Sequence, residues 1–219
     1  MKGLAVAIAL AAQQALAANV FRGCQEPEVQ QNFNLDAYLG LWYENRRDKD
    51  VAYESGVCTT ASYSMNDDGS IRVLNNDYEE DKSEWGGGVG RATIVDPSKN
   101  EGYLKVKFVK LQPAGDYKVL ETDYENYTVI YTCAGIPHLY NIEYVWILTR
   151  DINPSEEVIN MALDAIAEKV PEYNMSALQV TPQGEGALKS GKDCPYDTAP
   201  QTPAPSAYGF FGRFDRFLQ

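Results

Sequence analysis

Few residues in this chain could carry covalent or acid–base chemistry. His138 is the only histidine among 219 residues, so a Ser–His or Cys–His arrangement has a single base to draw on. It sits in Gly135-Ile136-Pro137-His138-Leu139, a loop sequence between two strand-like runs. Zinc would need several nitrogen or sulfur donors there, and none accompany it; as a lone axial haem ligand it would have to act from a loop. The four cysteines, Cys24, Cys58, Cys133 and Cys194, are far apart, so neither a redox nor a zinc C-x-x-C spacing is present. The glycine run Trp85-Gly86-Gly87-Gly88-Val89-Gly90-Arg91 lacks the Gly-Lys-Ser/Thr ending of a phosphate loop and suits a sharply bent strand. Acidic residues concentrate at Asp77-Tyr78-Glu79-Glu80-Asp81, without the glycine turn and closing glutamate of a calcium loop. No metal site, no catalytic residue and no enzyme are expected.

The ends of the chain indicate where it works. Lys2, the apolar stretch Leu4–Ala12 and the small-residue site Ala15-Leu16-Ala17 have the form of a secretory signal peptide over residues 1–17. The apolar run is too short for a stable membrane span. An exported, extracellular chain with an even number of cysteines should hold two disulfides, and four cysteines allow three pairings. A net charge of −12 argues against nucleic acid and anionic membranes as partners. At the other end, residues 198–219 form a Pro/Ala linker and an aromatic tail, Tyr208 to Leu218, whose composition points to disorder. Such a tail could contact a partner. Oligomeric state is left open.

Residues 18–197 make one domain, and their patterning is β. Asn66-Asp67-Asp68-Gly69 is a hairpin turn between Tyr63-Ser64-Met65 and the alternating run Ile71–Asn75. Leu104-Lys105-Val106-Lys107-Phe108 alternates without a break, so one face is wet. Tyr127–Tyr131 and Tyr144–Arg150 are rich in aromatic and β-branched residues. Short strands between regular turns suggest a sandwich or barrel. A single helix follows, with Asn153 as cap, Pro154 at its first position and Glu156 completing a capping box. Val158, Ile159, Ala162, Leu163, Ile166 and Val170 form its apolar face, and Pro171 ends it.

Three segments, in order, resemble the lipocalin family, most closely its apolipoprotein D and bilin-binding members. Gly40-Leu41-Trp42 resembles the G-x-W that opens the first barrel strand, Thr122-Asp123-Tyr124 the turn before the seventh strand, and Trp146–Arg150 the end of the eighth. The Cys24–Gln30 segment and Cys58 match the same group. The resemblance implies an all-β fold: an eight-stranded antiparallel up-and-down barrel with one C-terminal helix packed outside. It implies the pairs Cys24–Cys133 and Cys58–Cys194. It also makes Gly40, Trp42, Thr122, Asp123, Tyr124 and Arg150 structural, with the Arg150 guanidinium over the Trp42 ring at the closed end.

Alternation along each strand then suggests what lines the interior. An inward arginine would be costly, so Ile71, Val73 and Asn75 face in rather than Arg72 and Leu74. Lys105 and Lys107 go out, leaving Val106 and Phe108 inside, and Arg150 at the plug brings Trp146 and Leu148 inward. Tyr63 and Asn75 match cavity positions by resemblance. Asn126-Tyr127-Thr128 and Asn174-Met175-Ser176 are glycosylation sequons; a sugar on Asn126 would point outward and turn Tyr127 and Tyr131 in. The expected ligand-binding set is Tyr63, Asn75, Phe108, Tyr127, Tyr131 and Trp146. It suits a lipid, sterol, retinoid, or bilin or carotenoid pigment, carried without a catalytic cofactor. The competing expectation is a lipocalin-fold isomerase or de-epoxidase, which would need a reactive thiol or paired carboxylates in the cavity; neither is evident in the sequence.

Overall fold

The computed structural model describes residues 23–51, 54–108, 113–136 and 140–201. The leader-like residues 1–17, His138 and the aromatic tail lie outside these residues. Eight strands follow one another: β1 (Gly40–Asp48), β2 (Val57–Met65), β3 (Ile71–Glu79), β4 (Glu84–Ile94), β5 (Tyr103–Lys107), β6 (Gly115–Thr122), β7 (Tyr127–Ile136) and β8 (Tyr140–Thr149). Each pairs antiparallel with the next, and β8 returns to β1, so the sheet closes on itself. Closure removes the exposed edges that an open sheet would present. A short strand, β9 (Leu178–Val180), adds to β1 beyond the end of its pairing with β2.

A bulge between Glu44 and Arg46 changes the register of β1 against β8. Its effect is to turn Arg47, rather than Arg46, into the interior beside Glu44. The glycine run lies within β4, paired to β3. Gly87 is at φ +119°, and a Cβ there would stand 2.0 Å from the Asn75 carbonyl oxygen; at Gly90 it would strike the Phe108 ring at 2.8 Å. Glycine here lets the wall bend and leaves space for an inward phenyl ring.

Two apolar clusters sit on either side of the sheet. The inner one includes Trp42, Tyr63, Val73, Leu104, Ile130 and Leu148. The outer one joins β6–β8 to the helix α2 (Glu156–Lys169), whose Ala162, Ala165 and Ile166 are buried. The helix starts later than the sequence pattern suggests. Its cap is Ser155, whose hydroxyl accepts from Val158 N at 3.3 Å, whereas Asn153 N donates to the Asp151 carboxylate in the preceding turn. Both residue types can cap; the Asp151 turn keeps Asn153 and Pro154 out of the helix.

Tyr127 and Tyr131 belong to this outer cluster, which corrects the inward placement expected for them. Their hydroxyls donate to Glu121 (2.6 Å) and Glu143 (2.9 Å). The reason is local. Asn126 lies in the turn ahead of β7, where it donates to Asp123 at 2.7 Å, so its exposure says nothing of strand parity. Thr128, Ile130 and Thr132 occupy the other face.

The disulfides join Cys24 to Cys133 and Cys58 to Cys194. The first ties the segment before β1 to β7. The second holds the C-terminal segment against β2, and that segment runs on along the outer wall. Trp85 Nε1 donates to Thr198 Oγ1 (2.9 Å), Asn76 to the Pro200 carbonyl (3.1 Å) and Arg72 to the Gln201 carbonyl (2.9 Å). Leu74, between Arg72 and Asn76 on that face, is buried.

Candidate functional site: the barrel interior

One end of the barrel is closed by side chains. Asn34 caps a one-turn helix, α1 (Leu35–Tyr38), by accepting from Ala37 N, and that helix lays Tyr38 across the barrel end. Trp42 is fully buried beneath it, donating to the Tyr38 carbonyl at 2.9 Å. The Arg150 guanidinium carbon lies 3.6 Å from the centre of the Trp42 ring. Its nitrogens reach the carbonyls of Ala37, Leu39, Leu41 and Tyr124 at 2.7–3.0 Å. One cation thus satisfies several carbonyls at the end of α1 and the start of β1 while stacking on an indole, an arrangement that a planar guanidinium can make and an ammonium cannot. Gly40, at φ +99°, brings its backbone close to Arg150. Asp123 accepts from the backbone of Glu125, Asn126 and Tyr127, and Thr122 donates to the Tyr127 carbonyl, which together fix the β6–β7 turn. Tyr124 N in turn donates to Thr122 Oγ1.

Above this plug lies a cavity with about 130 Å³ open to the centres of water-sized spheres. A single water needs only about 10–15 Å³ on that measure. Of the residues expected to bind ligand, Tyr63, Asn75, Phe108 and Trp146 line it; Tyr127 and Tyr131 do not. Val73, Val106, Ile130 and Leu148 supply apolar walls. The floor is a phenol cluster: the Tyr117 hydroxyl lies 2.8 Å from that of Tyr38 and 2.7 Å from that of Tyr63. Burial pushes Tyr38 up to about 12 and raises Tyr63 and Tyr117 well above the usual phenol range, so all three stay neutral donors and acceptors.

The upper wall is acidic, which the sequence reading missed. Glu44 and Glu54 both line the cavity, correcting the expectation that no paired carboxylates would face it. Glu44 follows from alternation, two residues beyond the inward Trp42. Glu54 comes from the β1–β2 connection, where no periodicity applies, and accepts from Trp146 Nε1 at 2.7 Å. Glu44 is held by Arg47 Nη1 at 2.7 Å and Thr181 Oγ1 at 2.6 Å. Burial raises the Glu54 carboxyl well above the usual carboxylate range, the Glu44 charge adds to this, and the Trp146 bond and Arg47 oppose it. Asp77 on β3 is pushed up to about 6, by burial first and then by Glu79.

A carboxyl raised by folding favours the native state while it holds its proton, and that contribution is lost as pH rises through the folded value. For Asp77 the window runs from about pH 4 to about pH 6. Asp77→Asn is therefore expected to raise stability at pH 7 by on the order of 2–3 kcal/mol and to leave it nearly unchanged at pH 4. Urea unfolding at the two pH values measures this; an equal effect at both would contradict it.

Among the described residues no group of histidine, cysteine or acidic side chains could hold a metal ion, and no helix is long and apolar enough to cross a membrane.

Comparison with known proteins agrees with this geometry. A family model described as a lipocalin-like domain matches residues 33–183. Apolipoprotein D of Cavia porcellus is 36% identical over 148 residues, covering 67% of this chain and 76% of that protein. The Lazarillo protein of Schistocerca americana is 30% identical over 167 residues, 75% of this chain and 76% of its own length. Among solved structures, insecticyanin of the tobacco hornworm Manduca sexta superposes with a TM-score of 0.65 at 20% identity, covering 78% of this chain and 90% of that one. The amine-binding protein of Rhodnius prolixus, in complex with tryptamine, gives 0.57 at 20% identity, with 73% and 86% covered. The matched span contains the Trp42–Arg150 plug, the closed barrel and its cavity, and the chain belongs to the lipocalin family.

Proposed function

We propose that this protein is an exported carrier that binds or sequesters a small apolar molecule inside its barrel, without chemical change. The observation that supports this best is the cavity itself. It is walled largely by apolar and aromatic side chains above a sealed floor, and a few polar groups in the wall would orient a guest. The relatives are compatible with such a role, since the tryptamine complex of the Rhodnius protein holds a small organic molecule. Export is supported by the leader-like first 17 residues and by the two disulfides. Asn126 and Asn174 are exposed, as sugar-bearing positions must be.

Protein purified from its secreting cells without organic solvent, then extracted and analysed by mass spectrometry, is expected to yield close to one small apolar molecule per chain. Recovery of nothing above background would count against carriage.

The cavity carboxylates Glu44, Glu54 and Asp116 give the isomerase or de-epoxidase reading one observation in its favour. Against it, Glu44 is engaged by Arg47 and Thr181, and Asp116 by Lys105 and Tyr103, which leaves Glu54 for proton transfer. Incubation with the extracted molecule should return it unaltered.

A further inference from the structure

The charged groups that line the cavity are all acidic. Glu44, Glu54 and Asp116 do so beside Thr59 and Asn75, and among the described residues no lysine or arginine does, although Arg47 and Lys105 hold Glu44 and Asp116 from behind. Two oxygens there have no hydrogen-bond partner: Asn75 Oδ1, and Thr59 Oγ1 in a side chain whose residue is only 6% exposed. A buried polar oxygen without a donor is uncommon, and such groups mark places where something else supplies the hydrogen. Within the cavity lining these two oxygens, on β2 and β3, are the buried side-chain atoms left without a partner among the described residues, and both can take a donor from a guest beside the Glu54 acid.

We propose that the ligand is a small aromatic amine, its ring against the apolar walls and its ammonium directed to Glu54, Thr59 and Asn75. This deepens the carrier reading and rests on it. An ammonium brings three donors and no acceptor, which suits the Asn75 amide oxygen, the Thr59 hydroxyl and the Glu54 carboxyl once it is ionised. A ligand carboxylate would place a further negative charge beside Glu44, whose charge already disfavours that of Glu54.

The proton balance follows from the groups around Glu54. Glu44 on β1 and Asp77 on β3 disfavour its charged form, Arg47 and the Trp146 N–H favour it, and Tyr63 faces it from β2. Burial and these charges together raise the Glu54 carboxyl above the usual carboxylate range. An ammonium beside it would draw the carboxyl towards its charged form, and any proton it gives up passes to solvent.

The test is calorimetric titration of the full mature chain with 2-phenylethylamine, 2-phenylethanol and 3-phenylpropionate at pH 7, in two buffers of different ionisation enthalpy. The amine is expected to bind about tenfold or more tightly than the alcohol, since a charge-assisted hydrogen bond replaces a neutral one. The carboxylate should bind weakest, and amine binding should release up to one proton. In Glu54→Gln, which can still accept from Trp146, the amine should fall to the level of the alcohol with no proton released. Equal binding of amine and alcohol, preference for the carboxylate, or no binding of any of the three overturns the proposal. So does an amine preference that persists in Glu54→Gln. Should that variant not fold, the ranking and the proton release of the parent decide alone. An uncharged apolar molecule recovered by extraction, with no amine preference, would leave carriage standing and this inference overturned.

Discussion

Trp42→Ala is expected to lower the unfolding free energy by about 3–5 kcal/mol, the range for deleting a large aromatic from a packed interior. Three losses combine. The indole is fully buried between Tyr38 and the inner wall, so its removal leaves a void that the closed barrel cannot easily collapse to fill. The Tyr38 carbonyl loses the indole N–H. Arg150 loses the ring under its guanidinium, an interaction of about 1–2 kcal/mol when shielded from water. The same change opens the cavity floor, so ligand affinity should fall with stability. Denaturant unfolding of the variant measures the first effect, and a loss below about 1 kcal/mol would show that the plug is not what secures the closed end.

The second large effect is expected from Cys58→Ala combined with Cys194→Ala. The bridge joins residues separated by 136 positions, and closing so long a loop in the unfolded chain corresponds to about 4–5 kcal/mol. The consequence is also local. Cys194 anchors the segment that follows Thr181, whose hydroxyl holds Glu44 in the cavity wall, and that continues to the contacts of Thr198, Pro200 and Gln201 with β3 and β4. Freed at Cys194, this segment should exchange its amide protons faster while β5–β7 keep their protection. Thermal unfolding compared with the oxidised parent provides the magnitude; a change within about 1 kcal/mol would mean that hydrogen bonds alone hold the segment in place.

What the sequence made legible depended on how local each determinant is. The plug was readable because Gly40, Trp42, Asp123 and Arg150 sit in short motifs that resemble those of the family, although Arg150 acts on Trp42 far along the chain. Strand parity was readable wherever a costly side chain decided it: Arg72 on β3 and Lys105 on β5 had to face outward, which placed Val73, Asn75 and Val106 inside. On β7 no charged residue served this purpose. Asn126 took its place in the reasoning, but it belongs to the turn, and the strand presents Tyr127 and Tyr131 to the helix instead. Aromatic residues suit either side of a barrel wall when both sides are covered.

The acidic part of the cavity shows a different limit. Glu44 could have been found by counting two residues on from Trp42. Arg47 could not, because the bulge that turns it inward leaves no mark in the alternation. Glu54 belongs to a connection between strands, where its burial depends on reaching Trp146 across the mouth rather than on any pattern nearby. Buried charge is where reasoning from hydropathy is weakest, since it reads such residues as solvated by default.

The account rests on a guest residing within the barrel, and the most direct measurement pairs the parent protein with one whose chamber is filled. Ala61 lines the cavity and is 7% exposed, so Ala61→Phe places a ring where the guest would lie. Native mass spectrometry of both proteins, purified alike from secreting cells, is expected to show the parent carrying one small molecule per chain and the variant carrying none, with both folded. The same adduct on both proteins, or on neither, would contradict carriage inside the barrel.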